Sequence, residues 1–283
     1  MRFTKMHGCG NDYVYVDGSK EKVRNASKVA VAVSDRHMGI GSDGLIIIHP
    51  SKKADFRMEM YNLDGSEGNM CGNGIRCIGK YVFDHGLTKK KTLTIETKGG
   101  LVGLDLHVKG GKVERVTVAM GAPRPIPKEF HVLADGKKRT FTASVHVIDR
   151  MFEGTVVSMG NPHFVVEVDD PAAFPVERYG PAIETHVNFP SRVNVEFVKV
   201  LAKGHVTQRT WERGSGETWA CGSGACAVAV ALNAGGRTGR DVAIDLRGGR
   251  LAIALKEKDA VFMTGPAVEV FSGEWPTTPG DGR

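Results

Sequence analysis

Cys71 and Cys221 each stand directly before a Gly-x-Gly sequence, in Cys71-Gly72-Asn73-Gly74 and Cys221-Gly222-Ser223-Gly224, and each is followed by a run of helical character. A helix start gathers four backbone N–H groups without intrahelical partners, together with the positive end of the helix dipole. That setting lowers the pKa of a thiol and also receives a carboxylate. Glycine at these positions lets a ligand approach the backbone. Two such thiols flanking one carbon could invert it. One sulfur, as thiolate, removes a proton from one face; the other, as thiol, delivers a proton to the opposite face; the two then exchange roles for the reverse reaction. An amino-acid Cα–H is a very weak acid, so the enolate-like carboxylate that develops needs strong stabilisation. Two helix starts would supply it as a doubled oxyanion site.

Other chemistries fit less well. A nucleophilic Cys–His arrangement with His163 is the main rival, but it leaves the second cysteine unexplained. Zinc is disfavoured, because neither Cys71/Cys77 nor Cys221/Cys226 has CxxC-type ligand spacing. A disulfide between Cys71 and Cys221 would need the same proximity and would silence the pair. Cys9, Cys77 and Cys226 read as small apolar core residues. A catalytically silent ligand-binding relative is a further alternative, and retention of both cysteines and both glycine frames argues against it.

The elements that must position these thiols come as a repeat. The segment YNLDGSEGNMCGNGIRCIGKYVFDHG from Tyr61 lies without a gap over WERGSGETWACGSGACAVAVALNAGG from Trp211, at an offset of 150. Glu67 falls on Glu217, Cys71 on Cys221, Gly72 on Gly222, Gly74 on Gly224, and the helix-ending Gly86 on Gly236. The same offset takes Gly10-Asn11 to Gly160-Asn161 and the run LIII from Leu45 to VEFV from Val195; Gly99-Gly100 falls on Gly248-Gly249 one residue out of step. Several separate segments sharing one offset imply two homologous halves. Each half has short alternating strands bounded by glycine turns and a helix expected to begin right after its C-G-x-G turn. The run 225–232, ACAVAVAL, is apolar all round and is expected to be buried on every side. The predicted class is α+β: two pseudo-symmetric domains, each a curved, mostly antiparallel sheet or barrel around a central helix. A pseudo-twofold axis would set equivalent elements across a cleft. The boundaries predicted are 1–121 and 122–266, with a C-terminal strand at about 267–274 returning to the first half. A linker over 124–150 follows Pro123 and includes Pro125 and Pro127, and the tail WPTTPGDGR is expected to fray.

Composition sets outer bounds. Of 283 residues 36 are glycine, so many backbone positions must need close approach or positive φ. The 41% apolar share excludes disorder throughout. No apolar run nears the roughly 18–20 residues of a membrane helix. The N-terminal stretch lacks an apolar signal core. Net charge is +6 and dispersed; Lys89-Lys90-Lys91 and Lys137-Lys138-Arg139 read as solvated turns, not a nucleic-acid stripe. Five cysteines are odd in number and unlike a secreted disulfide scaffold. Reduced thiols in the cytoplasm are expected.

The stretches MHGCGNDYVYVD, RHMGIGSDG, YNLDGSEGNMCGNGIRC, SMGNPHFV, RVNVEFV and ERGSGETWACGSGACA, in this order and spacing, strongly resemble the diaminopimelate epimerases, from residue 1 to about 273. The proline and hydroxyproline racemases resemble it in fold and in having two cysteines, but their first motif typically has histidine where this chain has Asn73. The resemblance implies a cofactor-independent enzyme interconverting LL- and meso-diaminopimelate, on the route to lysine and peptidoglycan precursors; a racemase of another amino acid such as proline is the alternative. Two thiols make an electron-sink cofactor such as pyridoxal phosphate unnecessary. The resemblance implies Cys71 and Cys221 as the acid/base pair. It implies that Gly72-Asn73 and Gly222-Ser223 hold the reacting carboxylate, and that Asn11, Asn161, His163 and Glu212 stand near the reacting centre. His163 and Glu212 would tune protonation and hold the α-ammonium. Asn62, Asn194 and Arg213 would recognise the distal L-centre, where the Arg213 fork suits a carboxylate. A homodimer is implied, with no metal, membrane or nucleic-acid partner. One departure is Gly44, where many members carry a glutamine that lines the site. Here a water or another side chain is expected to stand in for that amide.

Overall fold

The computed structural model describes residues 1–126, 130 and 139–276. Pro127, Lys137, Lys138 and residues 277–283, which enter the linker, basic-run and tail expectations above, lie outside the described residues. The chain divides into two compact units, Met1–Val118 with Gly265–Arg283, and Ala119–Thr264.

The first unit runs β1 (Arg2–Gly8), β2 (Asn11–Asp17), α1 (Ala26–Ser34), β3 (Gly44–Pro50), β4 (Phe56–Asn62), α2 (Gly72–Asp84), β5 (Thr92–Thr97), β6 (Gly100–Lys109) and β7 (Lys112–Gly121), whose end passes into the second unit. The chain returns to it as β17 (Val268–Glu274), antiparallel to β1. β2 and β3 pair in parallel, β3 and β4 antiparallel, β4 and β5 in parallel, and β5, β6 and β7 antiparallel in turn.

The second unit repeats this plan. It contains β8 (Thr140–Val147), β9 (Arg150–Ser158), β10 (Pro162–Glu167), α3 (Val176–Glu184), β11 (Asn194–Ala202), β12 (His205–Glu212), β13 (Gly216–Thr218), α4 (Gly222–Ala234), β14 (Asp241–Leu246), β15 (Gly249–Leu255) and β16 (Val261–Pro266), whose end leaves the unit. The registers coincide at the repeat offset. Val14↔Leu45 in parallel β2/β3 corresponds to Phe164↔Val195 in parallel β10/β11, and Leu45↔Tyr61 corresponds to Val195↔Trp211. The parallel pairing Phe56↔Ile95 corresponds to Val206↔Ile244, one residue out of step beyond the helix. The repeat therefore extends to the hydrogen-bonding pattern of the strands.

Each unit packs one long helix on its strands: α2 against β1, β2, β6 and β17, and α4 against β9, β10, β11 and β15. In α4 the residues 225–232 are buried except Val230, which is half-buried. Burying Val228 and Leu232 contributes about 1.5–3 kcal/mol each. The second unit adds an aromatic core around Phe152, Phe164, Phe174, Tyr179 and Phe197. Both helices end as expected at a left-handed glycine, Gly86 (φ 74°) and Gly236 (φ 69°), a conformation that costs glycine little. Their starts differ from expectation. Each helix begins at the first glycine of the motif, not after it, so Gly72-Asn73-Gly74 and Gly222-Ser223-Gly224 are the first helical turns themselves. A β-carbon on Gly74 would stand 2.7 Å from Ile46 Cδ1, and one on Gly224 would stand 2.7 Å from Glu196 Cδ. The side chains of Ile46 and Glu196 thus press against the third position of each helix, and a larger residue there would have to displace them. Among the described residues no helix is long and apolar enough to cross a membrane.

Candidate active site

In the first unit Cys71 is the N-cap of α2, with extended backbone, and its Sγ accepts the Gly74 N–H at 3.3 Å. The thiol in turn donates to Asn11 Oδ1 at 3.3 Å. Asn11 opens β2 and gives its Nδ2 to Asp43 Oδ2 at 2.7 Å, which fixes the amide with its oxygen towards the sulfur. Asp43 also accepts the Asp12 N–H and the Arg36 guanidinium. Burial raises the Asp43 carboxyl above its ordinary range, and the neighbouring charge of Asp12 adds to the rise. Asn73 is buried in the first turn of α2, with its Oδ1 accepting from the buried Arg76 at 2.9 Å. Asn62 ends β4 opposite Gly44 and closes a tight turn, donating from Nδ2 to Ser66 Oγ at 3.0 Å.

In the second unit Cys221 is the N-cap of α4, again extended, with its Sγ 3.6 Å from Ser223 Oγ. Ser223 Oγ accepts Asn161 Nδ2 at 3.4 Å, and Asn161 Oδ1 lies 3.1 Å from His163 Nε2. The other ring nitrogen, Nδ1, is 2.7 Å from Glu196 Oε1, both side chains being fully buried. Glu212 ends β12 and accepts the Thr218 hydroxyl at 2.6 Å. Burial raises its carboxyl above the ordinary range; the Glu196 charge adds to the rise, while Thr218, Cys221 and His163 oppose it. Burial pushes the Cys221 thiol well up, and Glu212 and Glu196 push it further. Cys221, Ser223, Asn161, His163 and Glu212 therefore form one connected group.

Asn194 and Arg213 are neighbours of a different kind. Asn194 is buried, donates to the Pro162 carbonyl at 2.8 Å and accepts the Arg213 backbone N–H at 2.9 Å. Its amide thus ties β10 to the turn after β12. The Arg213 guanidinium is exposed and donates to the Ser191 carbonyl at 3.1 Å.

Among the described residues, which include all five cysteines, there is no disulfide. Cys9, Cys77 and Cys226 are buried in the two units, and burial pushes the Cys77 thiol up to about 11.

At Gly44 a β-carbon would overlap the Tyr61 carbonyl oxygen and lie 2.8 Å from Tyr13 Cε1. The backbone admits no side chain at residue 44, and the Tyr13 ring stands where one would begin. Asp43, Thr218 and Glu196 were not singled out from the sequence. Each lies within a motif stretch already noted, in GIGSDG, SGET and VNVEFV; what picks them out is their contact with Asn11, Glu212 and His163.

The family model for diaminopimelate epimerase matches residues 3–126 and 155–270. A curated relative, the diaminopimelate epimerase of Leptospira biflexa serovar Patoc, is 54% identical over 275 residues, covering 97% of this chain and 98% of its own. Among solved structures, a Bacillus anthracis phenazine biosynthesis protein of the PhzF family superposes with a TM-score of 0.72 at 16% identity, covering 98% of this chain and 99% of that one. A hydroxyproline epimerase from Agrobacterium vitis, with bound trans-4-hydroxy-L-proline, superposes with a TM-score of 0.67, also at 16% identity, covering 96% and 91%. These structures share the fold.

Proposed function

The chain belongs to the diaminopimelate epimerase family and is an epimerase of diaminopimelate, and from that premise we propose that Cys71 and Cys221 are the two proton-transfer groups of the reaction. The observation that supports this most directly is that both are N-caps of matching helices whose first turn is Gly-x-Gly. In the forward direction one sulfur, as thiolate, takes the α-proton and becomes a thiol. The other gives its proton to the opposite face and becomes the thiolate, so charge and protons balance. The backbone N–H groups of Gly72-Asn73 and Gly222-Ser223 would hold the carboxylate as its charge grows, a stabilisation felt most in the transition state.

Asn11 orients the Cys71 thiol, while Asn161, His163 and Glu212 serve the Cys221 side and the α-ammonium group. Asn62, Asn194 and Arg213 would hold the distal L-centre, Asn194 by fixing the turn that carries Arg213. We read 1–121 with 267–274, and 122–266, as two domains of common descent, each supplying one sulfur. The reaction needs two free thiols, so a reducing compartment, the cytoplasm, suits it; its product would enter lysine and peptidoglycan-precursor synthesis. A homodimer is our reading of the oligomeric state, and sedimentation at working concentration tests it.

The test of function follows the α-proton of LL-diaminopimelate in D₂O with reduced, cofactor-free protein. Exchange with inversion is expected. It should fall by at least on the order of 10²–10⁴-fold in both Cys71→Ala and Cys221→Ala. Retained inversion in either variant overturns the two-thiol reading.

A further inference from the structure

The two halves are alike in backbone but not in what lies beneath their catalytic helices. At the repeat offset Tyr13, Ile46, Met58 and Met60 of the first half correspond to His163, Glu196, Gln208 and Thr210 of the second. Strand pairing preserves the correspondence: Ile46 is opposite Met60 in β3/β4, and Glu196 is opposite Thr210 in β11/β12. In the first half the residue behind the third position of the helix is apolar, since a β-carbon on Gly74 would meet Ile46. In the second half it is a carboxylate, since a β-carbon on Gly224 would overlap Glu196 Oε1.

Glu196 is fully buried. It accepts His163 Nδ1–H at 2.7 Å on Oε1, and Gln208 Nε2 at 2.8 Å and Thr210 Oγ1 at 2.5 Å on Oε2. Thr210 Oγ1 also accepts from Gln208 Nε2 at 2.9 Å, which links the two donors to each other. Three donors converging on two oxygens suit the charged carboxylate, which only accepts. Burying that charge is costly unless it is hydrogen-bonded in this way. A hydrophobic residue fills the matching place without that cost, as Ile46 does. The stability of the fold therefore does not require an acid here.

We propose that Glu196 is a positioning residue for proton transfer: buried behind the first turn of α4, it anchors the His163 ring through Nδ1 and sets a carboxylate behind the helix start that Cys221 caps. The inference rests on the reading of Cys221 as a proton-transfer group. A Glu196 oxygen meets Nδ1 and Asn161 Oδ1 meets Nε2, so the ring is held at both nitrogens. The groups around Cys221 act together. Glu212 and Glu196 are both acidic, Ser223 is at its sulfur, and His163 bridges Asn161 and Glu196. The first half has no carboxylate at the position equivalent to Glu196. The repeat thus carries two thiols on one backbone plan and sets two acids, Glu212 and Glu196, around Cys221 where the first half has Asn62 and Ile46.

The test uses the full-length reduced protein and Glu196→Gln, which keeps shape and removes charge. A second variant, Glu196→Ile with Gln208→Met and Thr210→Met, installs the residues of the first half and leaves no buried acid or its donors behind. Alkylation by iodoacetamide is followed from pH 6 to 10 at each cysteine by peptide mass spectrometry, and the His163 ring by ¹⁵N NMR. Expected is about tenfold faster labelling of Cys221 at pH 8 in both variants, corresponding to a thiol more acidic by about one pH unit. Cys71 labelling should keep its wild-type profile. The His163 Nδ1 signal should shift in the triple variant, which removes its carboxylate partner, and hold its position if Glu196 does not anchor the ring. Wild-type-like Cys221 profiles in both folded variants overturn the proposal, as does a Cys71 profile that shifts equally. Thiol labelling needs no substrate. A shifted Cys221 profile alongside undiminished epimerisation by Cys221→Ala would uphold the electrostatic role and defeat the functional reading instead.

Discussion

The carbonyl oxygen of Tyr61 occupies the space that a β-carbon on Gly44 would need. Gly44 pairs with Asn62 at the start of β3, and the Tyr13 ring closes the other side. Gly44→Ala therefore forces the β3/β4 pairing or the ring to move, a strain of about 1–3 kcal/mol. Gly44→Gln adds a longer side chain to the same clash. Both variants should lower the urea midpoint with little change in slope. A Gly44→Ala protein as stable as the wild type would falsify the account.

Asp43 is expected to act on Cys71 through Asn11. Its carboxylate only accepts, so Asn11 must point Nδ2 at Asp43 and Oδ1 at the sulfur. In Asp43→Asn the new side chain can donate, and the Asn11 amide loses its reason to face that way. Loss of a hydrogen bond to a charged group is worth about 1.5–3 kcal/mol, so kcat should drop by about 10–100-fold. KM should change less, because the sulfur and not the carboxylate cradle is disturbed. Steady-state kinetics with LL-diaminopimelate checks this. An unchanged kcat would remove Asp43 from the machinery.

The helix starts and the repeat were legible because they rest on local chemistry: Cys-Gly-x-Gly, a helix-ending glycine, and alternating strands at a constant offset. The supporting acids were not. Glu196 lies in VNVEFV, where alternation gives a strand but not its environment. Its strand is buried for five consecutive residues, covered on both faces, so period-two patterning carries no inward or outward label there. Asp43 was visible as part of GIGSDG, yet its role depends on Asn11, which is 32 residues away in sequence. The helix start itself was read late by a few residues. Gly-x-Gly reads as a turn before the helix, whereas the close approach of the Ile46 and Glu196 side chains favours glycine inside its first turn.

Cys77 gives a stability signature at high pH. Burial holds its thiol up at about 11 in the fold, while an unfolded thiol titrates near 8.5. The folded state therefore favours the protonated form. The resulting stability is fully present below about pH 8.5 and is lost as pH rises through 11, to a total of about 3 kcal/mol. Cys77→Ala removes this titration, at the expense of a small cavity. Urea unfolding at pH 8 and pH 10.5 should show the wild type losing about 2–3 kcal/mol more than the variant between the two. Equal losses would mean that Cys77 ionises freely in the fold.

Thr218 holds Glu212 down. Its hydroxyl donates to Glu212 Oε1 at 2.6 Å, a bond that favours the carboxylate, while burial and the Glu196 charge favour the protonated acid. Thr218→Val keeps the shape and removes the donor, so the Glu212 carboxyl rises further. If Glu212 must be ionised to hold the substrate ammonium, the acidic limb of the kcat/KM profile moves to higher pH, and activity at the acid end falls while the alkaline limb stays. Thr218→Ser, which restores the hydroxyl, should return the limb to its wild-type position. A limb that stays in place in Thr218→Val, in a protein of wild-type stability, means that the ionisation seen in the profile belongs to a group other than Glu212.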